Sequence, residues 1–121
     1  MAIWEFEALP QERIWGGRNL AERFGRNLPD GKKIGETWEL VDRSEAQSRE
    51  KESGKTLNDL WSGADRKKIF GTKAPEVGRF PILIKLLDAQ DKLSLQVHPP
   101  AEWAKELAGE PKTEMWFFLA T

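Results

Sequence analysis

The chain has one histidine in 121 residues, and it stands at the end of an alternating stretch, "LSLQVHPP", residues 93–100. Side chains on a β-strand alternate faces. A strand over residues 93–98 therefore puts Leu93, Leu95 and Val97 on one face and Ser94, Gln96 and His98 on the other. A hydroxyl, an amide and an imidazole then stand in a row opposite a hydrocarbon wall. The last stretch, "KTEMWFFLAT", repeats the design: Lys112, Glu114, Trp116 and Phe118 share one face, and Thr113, Met115, Phe117 and Leu119 the other. A strand this apolar is expected to be covered on both faces, which takes Lys112 and Glu114 into a largely buried environment. A buried carboxylate needs a partner, and both Lys112 and a metal ion are candidates for Glu114.

If the two polar rows look into one cavity, an imidazole nitrogen, a carboxylate oxygen and an amide oxygen converge. Zinc accepts such donors at about 2.0–2.2 Å and keeps a position open in catalytic sites. Imidazole also suits copper, iron and nickel, and oxygen donors suit harder ions. The set is short of a usual zinc site, with one His, one carboxylate and an uncommon Gln. Plainer readings stand beside it: a lone strand His is more often structural, Glu114 pairs with Lys112, and Ser94 is a strand hydroxyl. Lys85, inside "ILIKLL", either snorkels to the rim or aims a cation at an anionic ligand.

The elements that must position these residues are mostly strands. Residues 3–10 alternate loosely through Ile3, Phe6 and Leu9 and are expected to form a strand. Gly16–Gly17 reads as a turn into a short helix closing at Gly25. Residues 35–42 form a second strand, with Thr37, Glu39 and Val41 on one face and Trp38 and Leu40 on the other. Residues 43–55 hold no large apolar side chain and read as an exposed polar loop or hairpin outside the core. In "TLNDLWSG" Thr56 caps a helix, Asp59 sits at its third position, and Leu57, Leu60 and Trp61 share a face. "ADRKKIFG" is another short helix, ending at Gly71. "RFPILIKLLDA" is the most strand-like run. "AEWAKELAG" is expected to be a helix with Trp103 and Leu107 inward and Gly109 past its end.

Length bounds the chain to a single domain over residues 1–121, or to one part of a larger one. A net charge of −1 points to neither nucleic acid nor anionic membrane. There is no Cys, so disulfides, thiolate metal sites and Cys nucleophiles are excluded and a reducing compartment fits. The opening "MAIWEFEALPQER" has neither the basic nor the apolar region of a signal peptide, and no apolar run approaches a membrane span. The expectation is a cytoplasmic protein, with six Trp and six Phe making an aromatic-rich interior.

"LSLQVHPP" followed by "PKTEMWFFL" resembles the metal-site signature of the type I mannose-6-phosphate isomerases, zinc enzymes of the cupin superfamily. "RIWGG", "GETWEL", "GKTLNDL" and "FPILIKLLDAQDKLSLQVHP" match upstream and in order, so the resemblance covers nearly the whole chain. It implies a mainly-β fold, a cupin-like antiparallel jelly-roll forming part of a barrel, with short peripheral helices. It implies that Gln96, His98 and Glu114 are metal ligands for one zinc, or another divalent ion. It implies that Lys112 takes part in proton transfer and that Ser94 and Lys85 lie near the sugar phosphate. The implied reaction interconverts mannose 6-phosphate and fructose 6-phosphate through a cis-enediol.

The chain also departs from the family. The family's fourth ligand is a second histidine far downstream, beside an active-site arginine, and this chain has no second His. Three explanations are open: the chain is the N-terminal portion of a longer protein, a second chain or another copy completes the barrel, or the chain is a divergent short relative that binds metal weakly. The first is preferred, because a cupin ending at this strand exposes an apolar edge. The competing function is a non-catalytic metal- or sugar-phosphate-binding cupin module. A structural β-domain with a fortuitous motif is the third.

Overall fold

The computed structural model of the protein describes residues 3–119. Eight elements follow in order: β1 (Leu9–Gly17), α1 (Asn19–Phe24), β2 (Ile34–Leu40), β3 (Asp42–Arg43), β4 (Ala46–Gln47), α2 (Leu57–Ser62), α3 (Arg66–Phe70) and β5 (Ile84–Leu87). β1, β2 and β5 form an antiparallel sheet with β2 in the centre, and β3 and β4 form a two-stranded hairpin. The architecture is mainly antiparallel strands with short helices, the cupin-like arrangement that the resemblance implies.

The β2 strand is central because both of its faces are covered: Ile34, Gly35, Glu36 and Thr37 are all buried. Its pairing with β1 slips twice, so that both Glu12 and Gly17 stand opposite Ile34. The expected turn at Gly16–Gly17 is therefore the bulged end of β1. Glycine is required there for close approach, since a Cβ on Gly16 would lie 2.3 Å from the Gly35 backbone nitrogen. The expected strand over residues 3–10 is also displaced. Only Phe6 bridges, to Glu50, and the ladder begins at Leu9. α1 closes on Gly25 at φ 61°, a left-handed cap that costs glycine little.

Leu20, Leu28 and Ile34 pack with Ala21 and Leu86. Val41, Leu57, Leu60 and Trp61 are also buried, and Trp61, Phe70 and Phe80 meet with ring centroids 5.0–5.6 Å apart. α2 starts where expected: Asp59 N donates to Thr56 Oγ1 at 3.0 Å, and Thr56 N donates back to Asp59 Oδ2 at 2.9 Å. The stretch 43–55 is not uniformly solvated, because Ser48 and Glu50 are buried. Ser48 is held by the Val41 amide, which donates to its Oγ at 2.9 Å. Asp42 ties three segments together, accepting from Gln47 Nε2, Asn58 Nδ2 and the Phe80 amide at 2.6, 3.0 and 2.7 Å.

β5 is shorter than the apolar run around it. Pro81 has no amide to donate, and the ladder covers four residues. Asp88 anchors its end by accepting from the Asn19 backbone and side chain at 2.8 and 3.0 Å. Beyond residue 90 the chain carries no ladder among the described residues. Residues 101–108 form turns rather than the expected helix, and Trp103 and Leu107 are exposed. So short a helix is stable only when an apolar face packs, and this one has no surface beneath it. The six Trp and six Phe do not all fill the interior, since Trp116, Phe117 and Phe118 are exposed.

Candidate functional site

The site residues come from three places: the end of β5, residues 94–98, and residues 112–114. In the β2–β5 register Lys85 stands directly opposite Trp38, with Glu36 one diagonal step away. The Lys85 ammonium lies 5.1 Å from the Trp38 ring centroid and donates to Glu36 Oε1 at 3.5 Å. The other oxygen of Glu36 accepts from Trp38 Nε1 at 2.8 Å and from Arg13 Nη2 at 3.1 Å. Glu36 is only 8% exposed, so these donors replace the water it has lost.

Residues 93–98 and 112–119 find no strand partner among the described residues, against the expectation of two strands. Alternation sets the facing of a strand, but a ladder needs a neighbour whose amides and carbonyls are in reach. The row pattern survives without it. Gln96 Nε2 donates to Ser94 Oγ at 3.1 Å, Lys112 Nζ pairs with Glu114 Oε1, and Trp116 stacks on Phe118. The opposite rows are exposed rather than packed, with Leu95 and Met115 each above 90%. Glu114 is likewise not largely buried, its side chain being 36% exposed.

His98 Nε2 and Glu114 Oε2 are 3.7 Å apart, too far for a hydrogen bond. Two donors that each reach one zinc at about 2.0–2.2 Å stand at most about 4.4 Å apart, so this spacing fits a shared ion. His98 Nε2 is buried and lacks a hydrogen-bond partner; in the tautomer that carries its proton on Nδ1, this nitrogen offers a lone pair to a cation. The hydrogen bond from Lys112 holds the Glu114 carboxyl below its ordinary range; partial burial opposes this, while the charges of Lys112, His98 and Lys85 reinforce it. A carboxylate kept ionised is a competent ligand. The Lys85 charge is the smallest of these contributions, and its direct contacts are to Glu36 and Trp38.

His98, Lys112 and Glu114 come together; Ser94 and Gln96 are exposed and bonded to each other. No hydrogen bond or ion pair among the described residues joins Gln96 to His98 or Glu114. No three His, Cys, Asp or Glu side chains gather among the described residues; His98 and Glu114 are a pair. Glu36 and Arg13 escaped the sequence reading. Glu36 carried a signal, since it stands two residues before Trp38 in "GETWEL" and so shares its face. Its link to Lys85 depends on a register between strands 49 residues apart.

A family model for phosphomannose isomerase type I, catalytic domain, matches residues 3–115. The chain is 40% identical over 118 residues to the probable mannose-6-phosphate isomerase GmuF of Bacillus subtilis, covering 93% of this chain and 36% of that one. It is 39% identical to mannose-6-phosphate isomerase ManA of the same organism, over 94% of this chain and 36% of that one. It is 37% identical to the mannose-6-phosphate isomerase of Streptococcus mutans, over 90% and 34%. A crystal structure of mannose 6-phosphate isomerase from Bacillus subtilis superposes with a TM-score of 0.77 at 34% identity, over 92% of this chain and 35% of that chain. The chain spans about a third of the length of the curated relatives it matches.

Proposed function

Since the chain belongs to the type I phosphomannose isomerase family, we propose that it supplies the N-terminal part of a metal-dependent aldose–ketose isomerase that interconverts mannose 6-phosphate and fructose 6-phosphate. The observation that carries this reading is the convergence of His98, Lys112 and Glu114 within a chain that matches the family's catalytic domain. His98 and Glu114 would hold a divalent ion, with Gln96 as the third donor; zinc is the ion that the resemblance implies, and it accepts such nitrogen and oxygen donors. The ion, when bound, polarises the sugar's carbonyl and hydroxyl oxygens and stabilises charge that develops on them.

Lys112 moves the proton. As the free amine, it takes the C2 proton from the open-chain aldose; the O2 proton passes to O1 through the cis-enediol stage, leaving the carbonyl at C2, and the resulting ammonium gives its proton to C1, while the reverse sequence forms mannose 6-phosphate. Its contact with Glu114 sets it beside the metal ligands, where a sugar held by its oxygens presents C1 and C2. Lys85 supplies a cation and Ser94 a hydroxyl for the phosphate group. With one His in these 121 residues, the family's fourth ligand comes from outside them, in the preferred reading from the remainder of a longer protein of which they are the N-terminal portion. A cysteine-free sequence suits the reducing cytoplasm. No helix among the described residues is long and apolar enough to cross a membrane.

A second reading, a binding module that holds metal or sugar phosphate without turnover, is favoured by the small donor set among the described residues. The two separate by experiment. Metal content by mass spectrometry is expected to give about one zinc per chain, falling at least tenfold in His98→Ala. A coupled assay for fructose 6-phosphate follows. Turnover lost in Lys112→Met with zinc retained supports the isomerase; zinc and mannose 6-phosphate binding without turnover supports the module. A zinc content that ignores His98→Ala removes His98 from the metal site.

A further inference from the structure

Glu36 is the buried carboxylate that Lys85 contacts, and its three donors are not equivalent. Arg13 and Trp38 both address Oε2, at 3.1 and 2.8 Å, whereas Lys85 reaches Oε1 at 3.5 Å, the far edge of a hydrogen bond. A guanidinium and an indole N–H satisfy Oε2, and Lys85 is the donor that faces Oε1. Two cations face one anion, so the trio of Arg13, Glu36 and Lys85 keeps an excess positive charge.

We propose that Glu36 is a positioning residue: with the Trp38 ring it fixes the Lys85 ammonium in one place on the sheet. A lysine head on a four-carbon stem otherwise samples many rotamers, and ordering it at the moment of binding weakens affinity for an anion. The register makes this arrangement available. Trp38 lies directly across from Lys85, so its ring flanks the ammonium at 5.1 Å, while the Glu36 oxygen stops it from swinging away along β2. Arg13, donated by the bulged strand β1, holds the far side of the carboxylate. What Lys85 is held for, the phosphate group of a sugar phosphate, rests on the proposed function.

The test is the acetylation rate of each lysine in the full 121-residue chain, read by peptide mass spectrometry. Lys85 is expected to react several-fold more slowly than the exposed Lys67 and Lys68. Glu36→Gln keeps the size and removes the charge. It is expected to speed Lys85 about fivefold and to leave Lys67 and Lys68 unchanged, since the released head regains its rotamers. A merely structural role for Glu36 would speed lysines throughout the sheet region, or none. Should Glu36→Gln melt without cooperativity, Trp38→Phe is read in its place, with an expected rise of about twofold at Lys85 from the smaller ring and the lost N–H donor. An unchanged Lys85 rate in the folded variant overturns the proposal. Addition of mannose 6-phosphate to the unchanged chain is a separate arm: protection of Lys85 supports the substrate reading, and its absence sinks that reading, while the positioning role of Glu36 stands or falls on the rates alone.

Discussion

Two regions of this chain are written in nearly the same apolar alphabet and end in opposite states. From Phe6 to Asp88 the alternating segments pair, and Val41 and Leu57 have no exposed surface. From residue 91 to 119 the segments alternate just as plainly, yet Leu95 is 95% and Met115 93% exposed. The difference is the neighbour. β2 has a strand on each edge, and the later segments have none among the described residues. Alternation decides which side chains share a face; it does not by itself decide that either face is buried. The candidate site lies on the seam, with Lys85 on the paired side and His98, Lys112 and Glu114 on the unpaired one.

The sharpest way to break this comparison is to delete side chains on both sides of the seam. Leu57→Ala removes a fully buried side chain and is expected to cost about 2–5 kcal/mol, a large share of the about 5–15 kcal/mol that holds a typical domain together. Leu95→Ala and Met115→Ala are expected to change stability by less than about 0.5 kcal/mol. Urea melts of the three variants check this. A loss above about 1.5 kcal/mol in either exposed variant would mean that residues 93–119 pack against something, and the contrast between the regions would fall.

How far the sequence carried follows the same seam. α2 was legible because its signals lie within four residues, Thr56 and Asp59 bonding each other's backbone. The site rows were legible as rows, since side chains two apart stay together even where the strand does not form: Ser94 meets Gln96, and Lys112 meets Glu114. What could not be read were facts of register and burial. The bulge that puts Gly16 against Gly35 depends on how β1 slides on β2. Glu36 meets Lys85 only through a pairing set elsewhere in the sheet. The expected helix over residues 101–109 fails because its apolar face has nothing to cover, which no window within the segment reveals.

Asp42 sharpens the comparison from the paired side. It accepts from the hairpin, from α2 and from the Phe80 amide that leads into β5. Burial raises its carboxyl, but the hydrogen bonds from Gln47, Asn58 and the Phe80 amide, with the charge of Arg79, outweigh this and hold it below its ordinary value of 3.8. A group whose folded value is depressed contributes stability that is present above the unfolded value and is lost as pH falls through the folded one. Stability is therefore expected to decline below pH 3.8, with Asp42 as one contributor. Asp42→Ala removes the acceptor of the Asn58 side chain and of the Phe80 amide and one of the two acceptors of Gln47 Nε2, and is expected to cost about 1–3 kcal/mol at neutral pH. Asp42→Asn keeps an acceptor and is expected to cost less while flattening the acid slope. Thermal melts from pH 2 to pH 7 separate the two, and an unchanged acid slope in Asp42→Asn would assign that slope to other carboxylates.

The smallest effect belongs to the ionic clasp at residue 110, which crosses between the regions. Glu110 accepts from Arg43 Nη2 at 2.9 Å and also pairs with Arg79, tying the turns over residues 101–108 to the hairpin side of the core. Those two arginines hold the Glu110 carboxyl below its ordinary value of 4.5, so the clasp is closed above that pH and opens as pH falls through the lower folded value. The partners are substantially exposed, so salt weakens the attraction as well; the screening length shrinks to about 3 Å in 1 M salt. Opening is expected to leave the melting midpoint of the core nearly unchanged, because exposed pairs contribute little. It should instead release the segment locally. Hydrogen exchange at the Trp103, Leu107 and Gly109 amides, which donate within the turns, is the measurement. Glu110→Gln and 1 M salt are each expected to speed exchange there and not at the β2 amides. Equal acceleration in both places would show that the segment and the sheet open as one unit, and the boundary drawn at residue 90 would be wrong.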